Sequence, residues 1–471
     1  MTPPQRNPED RPVAALLAPD ILDLLDESPE SVSVETEEMH PADLADVAEL
    51  LPSERLVPFL KALPKERAAD VLEYLDDEVR AAVLEELTVP EAAALVTEMT
   101  PDDRADILEG LDEEHAEEIL EEIPPEARRE TEQLLRYDPD SAGGLMTTEF
   151  VSVPADVTVD DALLRVRALA RTGRREAMYA VYATDTEGRL VGVLSLRELL
   201  AAPPGTKVGD VAWSEVLAVQ PTADREEVAR LTANYDLVAV PVVSESGHVM
   251  GVVTVDDVID AIQEEQTEDV QKLGGMEALE EPYMNAGFFE MIRKRAGWLM
   301  LLLLGEMFTA TAMGYFEDEI ARAVFLTAFI PLIISSGGNS GSQATSLIIR
   351  AMALGEITLR DWWRVARREL GSGLVLGLML GLIGVARVLV WHFAFGNYGE
   401  RYLLVALTIG VALIGVVTFG TIVGSMLPFV LRRLGLDPAS ASAPLVATLV
   451  DVTGLVIYFT VALLLLRGTL L

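Results

Sequence analysis

Asp451 is an ionisable side chain near the middle of a 25-residue apolar stretch, Ser442 to Leu466, long enough to cross a bilayer. A carboxylate at the centre of a spanning helix costs about 2.5–3.5 kcal/mol on insertion scales, so such a residue usually faces a bundle interior or a watery path. The text around it is Pro444-Leu-Val-Ala447-Thr448-Leu-Val-Asp451-Val-Thr453-Gly454. Pro444 suits a first helical turn, and Gly454 weakens the helix just beyond the acid. Ala447 lies one turn before Asp451 on the same face, where its carbonyl is within reach of a ligand. A polar staple to a neighbouring helix and a carboxylate on an ion path both fit; the ion path is the expectation.

A second set of acids recurs before the apolar half. Asp257, Asp260, Glu264 and Glu268 fall three to four apart, with Glu265 and Asp269 beside them and only Lys272 before Gly274-Gly275. Like charges at that spacing repel along one helical face. The face is either solvated or completed by hard divalent cations, which take carboxylates and water as ligands.

Charge is divided as unevenly as hydropathy. Residues 1–290 carry 66 Asp and Glu against 22 Lys and Arg, while residues 291–471 carry 10 against 14. A net −44 on the first part excludes nucleic acid as a partner, because phosphate demands the opposite sign. The chain has no Cys and four scattered His, so a soft transition-metal site is not expected and any metal is hard and oxygen-bound. The polar start, Met1-Thr-Pro-Pro-Gln-Arg-Asn-Pro, does not read as a signal peptide.

The elements that must position these acids fall into three kinds. Leu51, Leu63, Leu75, Leu87, Met99, Leu111 and Ile123 recur every twelve residues, each followed by a breaker or cap such as Pro52, Asp76 or Thr88. The spacing predicts two-turn helices stacked as a solenoid, each too short to be stable alone. Thr88-Val-Pro-Glu91 reads as a capping box and Pro101 as a first-turn proline. On pattern alone Asp70, Asp102 and Asp106 belong to the solvated outer faces.

From Ala142-Gly-Gly-Leu-Met146 onward strands and helices alternate in two similar copies. The first has strands at 150–153, 177–182 and 190–195; the second has strands at 216–219, 239–243 and 249–254. Five apolar spans follow, at about 297–316, 321–348, 372–395, 402–430 and 443–466. Ten bases flank them on one side and three on the other, which predicts a cytoplasmic N-terminus and an external C-terminus. Span two contains Ser335-Ser-Gly-Gly-Asn339-Ser-Gly-Ser-Gln343, a run suited to a helix contact or a water-lined path rather than lipid. Glu306 in span one ranks below Asp451, being close enough to the span's end to reach water.

Gly192-Val-Leu-Ser195-Leu-Arg-Glu198 and Gly251-Val-Val-Thr254-Val-Asp-Asp257 resemble the signature turns of a tandem pair of CBS domains. In that family the segment can hold ATP or another nucleotide, which implicates Arg197, Glu198, Thr254 and Asp257. No aromatic ring for adenine is evident, since Ala180 and Leu237 stand where one would help.

Taken together, the repeat, the CBS pair, the acidic connector and the five spans resemble the MgtE family of magnesium channels. The most specific marks are Ser336-Gly-Gly-Asn-Ser-Gly-Ser-Gln343 and Asp437-Pro-Ala followed by Ala443-Pro-Leu-Val-Ala-Thr-Leu-Val-Asp451-Val-Thr-Gly454. The resemblance implies a multidomain fold: an extra or disordered segment at 1–39, an all-α solenoid at 40–136, the α+β CBS pair at 137–262, a connecting helix at 263–292 and a five-helix α-helical membrane domain at 293–471. It implies no enzyme but a homodimeric Mg²⁺ channel of the inner membrane, with Asp451 and the Ala447 carbonyl on hydrated Mg²⁺. It also implies closure by intracellular Mg²⁺ bound at Asp70, Asp102 and Asp106; at Asp224, Glu226, Ala233 and Asp236; at Asp257, Asp260, Glu265, Glu268 and Asp269; and at Asp437. This reverses the solvated reading of the solenoid acids. Ala443 stands where the family's pattern suggests a polar side chain. Two rival functions are a divalent-cation transporter coupled to Na⁺ or protons, for which only Glu306 speaks, and a non-conducting receptor whose CBS pair senses nucleotide.

Overall fold

A computed structural model describes residues 12–171, 177–279, 283, 286–396 and 398–467. The chain divides into two compact units, Met1–Gln263 and Glu264–Leu471.

The first unit opens with ten helices: α1 Pro12–Glu27, α2 Pro29–Glu35, α3 Pro41–Leu50, α4 Ser53–Ala62, α5 Lys65–Glu73, α6 Asp77–Glu86, α7 Val89–Val96, α8 Pro101–Glu109, α9 Glu113–Glu122 and α10 Pro125–Leu134. Helices pack on the one two further along, α3 on α5, α5 on α7 and α7 on α9, as stacking of short amphipathic units requires. The twelve-residue beat marks the turns: Leu51, Leu63, Leu87 and Ile123 are C-caps in extended conformation, and each is buried. Thr88 and Glu91 form the expected capping box. The segment left open between disorder and an added segment forms α1 and α2, whose Ala14, Ala18, Ile21, Leu25 and Val32 join the solenoid core.

The two α+β copies follow, with β1 Phe150–Pro154, α11 Val159–Leu169, β2 Ala177–Thr184, β3 Leu190–Ser195, α12 Leu196–Ala201, α13 Val208–Val211, α14 Arg225–Tyr235, β4 Ala239–Val243, β5 Val249–Thr254 and α15 Val255–Leu273. In the first copy β1 runs parallel to β2, and β2 antiparallel to β3. In the second, the expected strand at 216–219 reduces to one parallel bridge, Val219 to Val242. Pro221 ends it by removing a donor two residues on.

In the second unit, α16 Phe288–Tyr315, α18 Ile330–Ala353, α19 Trp362–Phe395, α20 Tyr402–Arg433 and α21 Ala443–Leu466 are separated by short segments that include α17 Glu317–Arg322. These five long helices, among the described residues, have the length and apolarity to cross a membrane. Their charged ends lie beyond the expected spans: α16 begins at Phe288 and takes in Arg293-Lys294-Arg295, and α19 begins at Trp362 and takes in Arg364, Arg367 and Arg368. Helical hydrogen bonding does not stop where apolarity does.

Candidate functional site

Span two owes its small residues to helix packing. A Cβ on Gly420 would lie 2.3 Å from the Gly337 carbonyl oxygen, and one on Gly424 would lie 2.1 Å from that of Gly341. Two small residues four apart on each helix thus bring α18 and α20 into backbone contact. Hydroxyls lock the crossing: Ser340 and Thr421 share a hydrogen bond of 2.7 Å, and Thr345 donates to the Gly424 carbonyl at 2.8 Å. Asn339 and Gln343 are exposed instead.

The next face of α18 carries α21. Gly338 sits against Ala447, where an added Cβ would stand at 3.6 Å, and Gly337 and Gly341 against Val450 and Val446. Ser442 caps α21 by accepting from the Leu445 N–H, and Pro444 lies in its first turn, as expected. Asp451 is half-buried in the middle of this helix. Its acidic neighbour is Glu306 of α16. Glu306 stands nine residues before the end of α16, about 14 Å along the axis. Its side chain is exposed on that helix.

Below this helix bundle the connector carries a second polar centre. Lys272, in the last turn of α15, donates to Asp437 Oδ2 at 2.6 Å and pairs with Glu268. These two carboxylates hold its ammonium above the usual lysine range, against the opposing effect of burial. Asp269 is pushed up to about 6, chiefly by burial and then by Asp437 and Glu265. Gly275, at φ +78°, turns the chain where a Cβ would meet the Pro444 ring at 3.1 Å.

Within the first unit the acids of α5 and α8 converge on the start of α15. Asp102 is only 5% exposed, so its solvated reading fails. Its Oδ1 atom is buried with no hydrogen-bond partner. Burial and Asp103 push it up to about 7. Asp257 is held well above the carboxylate range by burial and by Asp102, while Thr254 donates to its Oδ2 at 2.6 Å. Glu73 is pushed up to about 9 by burial, Asp103, Asp70 and Asp102. Arg80, which acts on Glu73 and Asp103, offsets part of this charge. Asp106 is at the exposed rim, and Asp70 and Glu73 also line a cavity of about 650 Å³ with Glu98 and Glu149. Crowded carboxylates with an orphaned buried oxygen suit a dication.

The expected set is thus split. Asp70, Asp102, Asp106 and Asp257 come together in the first unit; Glu265, Glu268, Asp269 and Asp437 do so in the second. Asp260 is exposed and feels Asp256. Asp224, Glu226, Ala233 and Asp236 lie exposed at or along α14; Asp224 caps it by accepting from the Glu226 N–H, and Asp236 ends it in left-handed conformation. Glu73, Asp103 and Asp256 escaped the sequence reading, although the i, i+3 spacing of Asp70 and Glu73 was a signal, and Lys272 stood there only as the base that ends the acidic face. Among the described residues no three acids or imidazoles converge closely enough to chelate a bare ion. In the CBS turns, Glu198 accepts from the Trp213 indole at 2.8 Å and is bound by its own capping box with Ser195, while Arg197 is exposed.

Comparison with known proteins matches these parts to families. A model described as MgtE, divalent cation transporter, covers residues 330–461; the MgtE intracellular N domain covers 39–140; CBS domains cover 142–205 and 208–264. The chain is 44% identical over 346 residues, 74% of each protein, to the magnesium transporter MgtE of Thermus thermophilus. It is 35% identical to that of Enterococcus faecalis, over 73% of each. The crystal structure of the soluble part of a magnesium transporter superposes with a TM-score of 0.50 at 31% identity, covering 54% of this chain and 99% of that one.

Proposed function

This chain belongs to the MgtE family, and from that premise we propose that it is a Mg²⁺-selective channel of the inner membrane, mediating uptake and closed by intracellular Mg²⁺. The observation that carries the reading is Asp451, an acid at mid-span in α21, one turn from Ala447 where α21 packs on the glycines of α18. As a homodimer the protein presents two such carboxylates, matching a dication held through its waters. The N-terminus is cytoplasmic and the C-terminus external, on the distribution of basic residues.

The two acidic centres serve as the sensor. Each dication bound there cancels carboxylate repulsion and favours the closed arrangement only as far as it prefers that state. Mg²⁺ influx into liposomes holding the purified chain tests the pore. Asp451→Asn abolishes influx while the variant stays folded; wild-type influx in that variant removes Asp451 from the pore. Influx that requires an opposing Na⁺ or proton gradient would replace the channel by a coupled transporter.

A nucleotide at the first CBS copy is a second reading, favoured by the exposed Trp213 ring held beside Glu198. The second copy suits it less, because Asp257, to which Thr254 donates, lies near the carboxylates of Asp102 and Asp103. Quenching of Trp213 fluorescence by ATP, lost in Glu198→Ala, tests it.

A further inference from the structure

Arg387 is a cation inside span three, and the proposed pore does not use it. It stands in α19 eight residues before the helix ends at Phe395, about 12 Å along the axis. An arginine at that depth is costly in lipid, and such residues normally have a partner. Its own helix and the next supply no anion: the acid of α19, Glu369, lies eighteen residues earlier, and α20, which packs along α19, has no acidic residue. What the side chain has is a ring. Its guanidinium carbon lies 3.3 Å from the centre of the Trp391 ring, one turn further along the same face. The Nη1 atom is buried with no hydrogen-bond partner, a state that hydrocarbon does nothing to relieve.

Arg387, half-buried, borders the seam between α19 and α20. On one side of it a Cβ on Gly384 would meet Leu413 Cδ1 at 2.6 Å, and Val388 is fully buried. On the other side Ile383 and Val390 are 66% and 55% exposed, so an open apolar face begins there. Just beyond, Trp391 packs on Phe395, and His392 stacks on Tyr402 with ring centres 3.8 Å apart. Trp and Tyr rings gather at headgroup level, and a long arginine near the end of a span carries its charge toward that level. We propose that Arg387 and Trp391 form a site for the phosphate of one membrane phospholipid. The planar guanidinium fork matches two phosphate oxygens. The Trp391 ring holds the fork in place, and the exposed Ile383 and Val390 offer a track for an acyl chain.

The test titrates the full chain, purified in detergent, with phosphatidylglycerol and with diacylglycerol of the same acyl chains, and counts bound lipid by native mass spectrometry. Arg387→Leu weakens one phosphatidylglycerol site per chain about tenfold or more, as loss of a charge-assisted contact requires. Diacylglycerol, which has no phosphate, binds alike to the variant and to wild type. A wild-type thermal midpoint shows that Arg387→Leu is folded. Should it fail to fold, Trp391→Leu, which keeps the charge and removes the ring beneath it, weakens the same site about threefold or more. Equal phosphatidylglycerol binding by wild type and the folded variant overturns the proposal, as does diacylglycerol binding as tightly as phosphatidylglycerol. Displacement of the lipid by millimolar inorganic phosphate assigns the site to a free anion instead. A change from dimer to monomer in Arg387→Leu, with bound lipid unchanged, gives this face to a second copy of the chain and also overturns it.

Discussion

Lys272 and Asp437, 165 residues apart in sequence, are joined by a 2.6 Å ion pair that ties the end of the acidic connector to the turn before α21. Glu268 shares the same ammonium, so one tethered cation neutralises a site otherwise made of carboxylates. Breaking such a partly buried pair by removing one partner leaves uncompensated charge.

Lys272→Gln should therefore make the connector dependent on added dication. Without Mg²⁺, Glu268, Asp269 and Asp437 repel, and protease should cut near Gly274-Gly275 faster than in wild type. Millimolar Mg²⁺ should restore protection. Restoration by NaCl of equal ionic strength would indicate screening alone.

The solenoid acids predict a gating shift. Asp102→Asn with Asp106→Asn removes two charges from the cluster around Asp257 while preserving size. Unitary conductance should stay unchanged, and closure should move to about fivefold higher cytoplasmic Mg²⁺ or beyond, the low end of ordinary coupling energies. Patch recordings at graded Mg²⁺ check this; closure at the wild-type concentration would take the solenoid out of the sensor.

Protons should substitute for the cation in the same cluster. Asp102, at about 7, and Glu73, at about 9, bind protons more tightly folded than unfolded, where they titrate near 3.8 and 4.5. Groups shifted upward in this way favour the folded contact most below the unfolded values, and stability falls as pH rises through 7 and on to 9. In Mg²⁺-free buffer, hydrogen exchange in α8 and the first turn of α15 should quicken between pH 6 and 9. Added Mg²⁺ should flatten the dependence. A pH-independent rate would contradict the crowding of these acids.

The α18–α20 crossing predicts a stability effect with no electrostatic part. Gly420→Ala places a methyl 2.3 Å from the Gly337 carbonyl oxygen, where backbone rather than a flexible side chain must yield. Such overpacking costs about 1–3 kcal/mol. Thermal unfolding in detergent should show a lowered midpoint, whereas Gly435→Ala, in an open turn at φ +76°, should act only through local backbone strain.

Periodicity and hydropathy made most of the architecture legible. A twelve-residue recurrence places buried leucines at helix ends because only there can short helices share a core, and five apolar runs need no partner to be recognised as spans. Asp451 was legible because an acid in an apolar helix carries its own cost, whatever surrounds it. The tertiary structure decided which acids meet. One repeating acidic face from Asp257 to Asp269 looks uniform in sequence, yet Asp257 is paired with the solenoid's Asp102 and Asp269 with Asp437. Burial of Asp102 depends on α8 packing in a cluster whose other members lie far along the chain, so helical spacing alone put it on the surface. Glu306 gained Asp451 as a neighbour in the same way. Its neighbour Gly305 sets how closely two helices approach, and no pattern within span one records what stands on the other side.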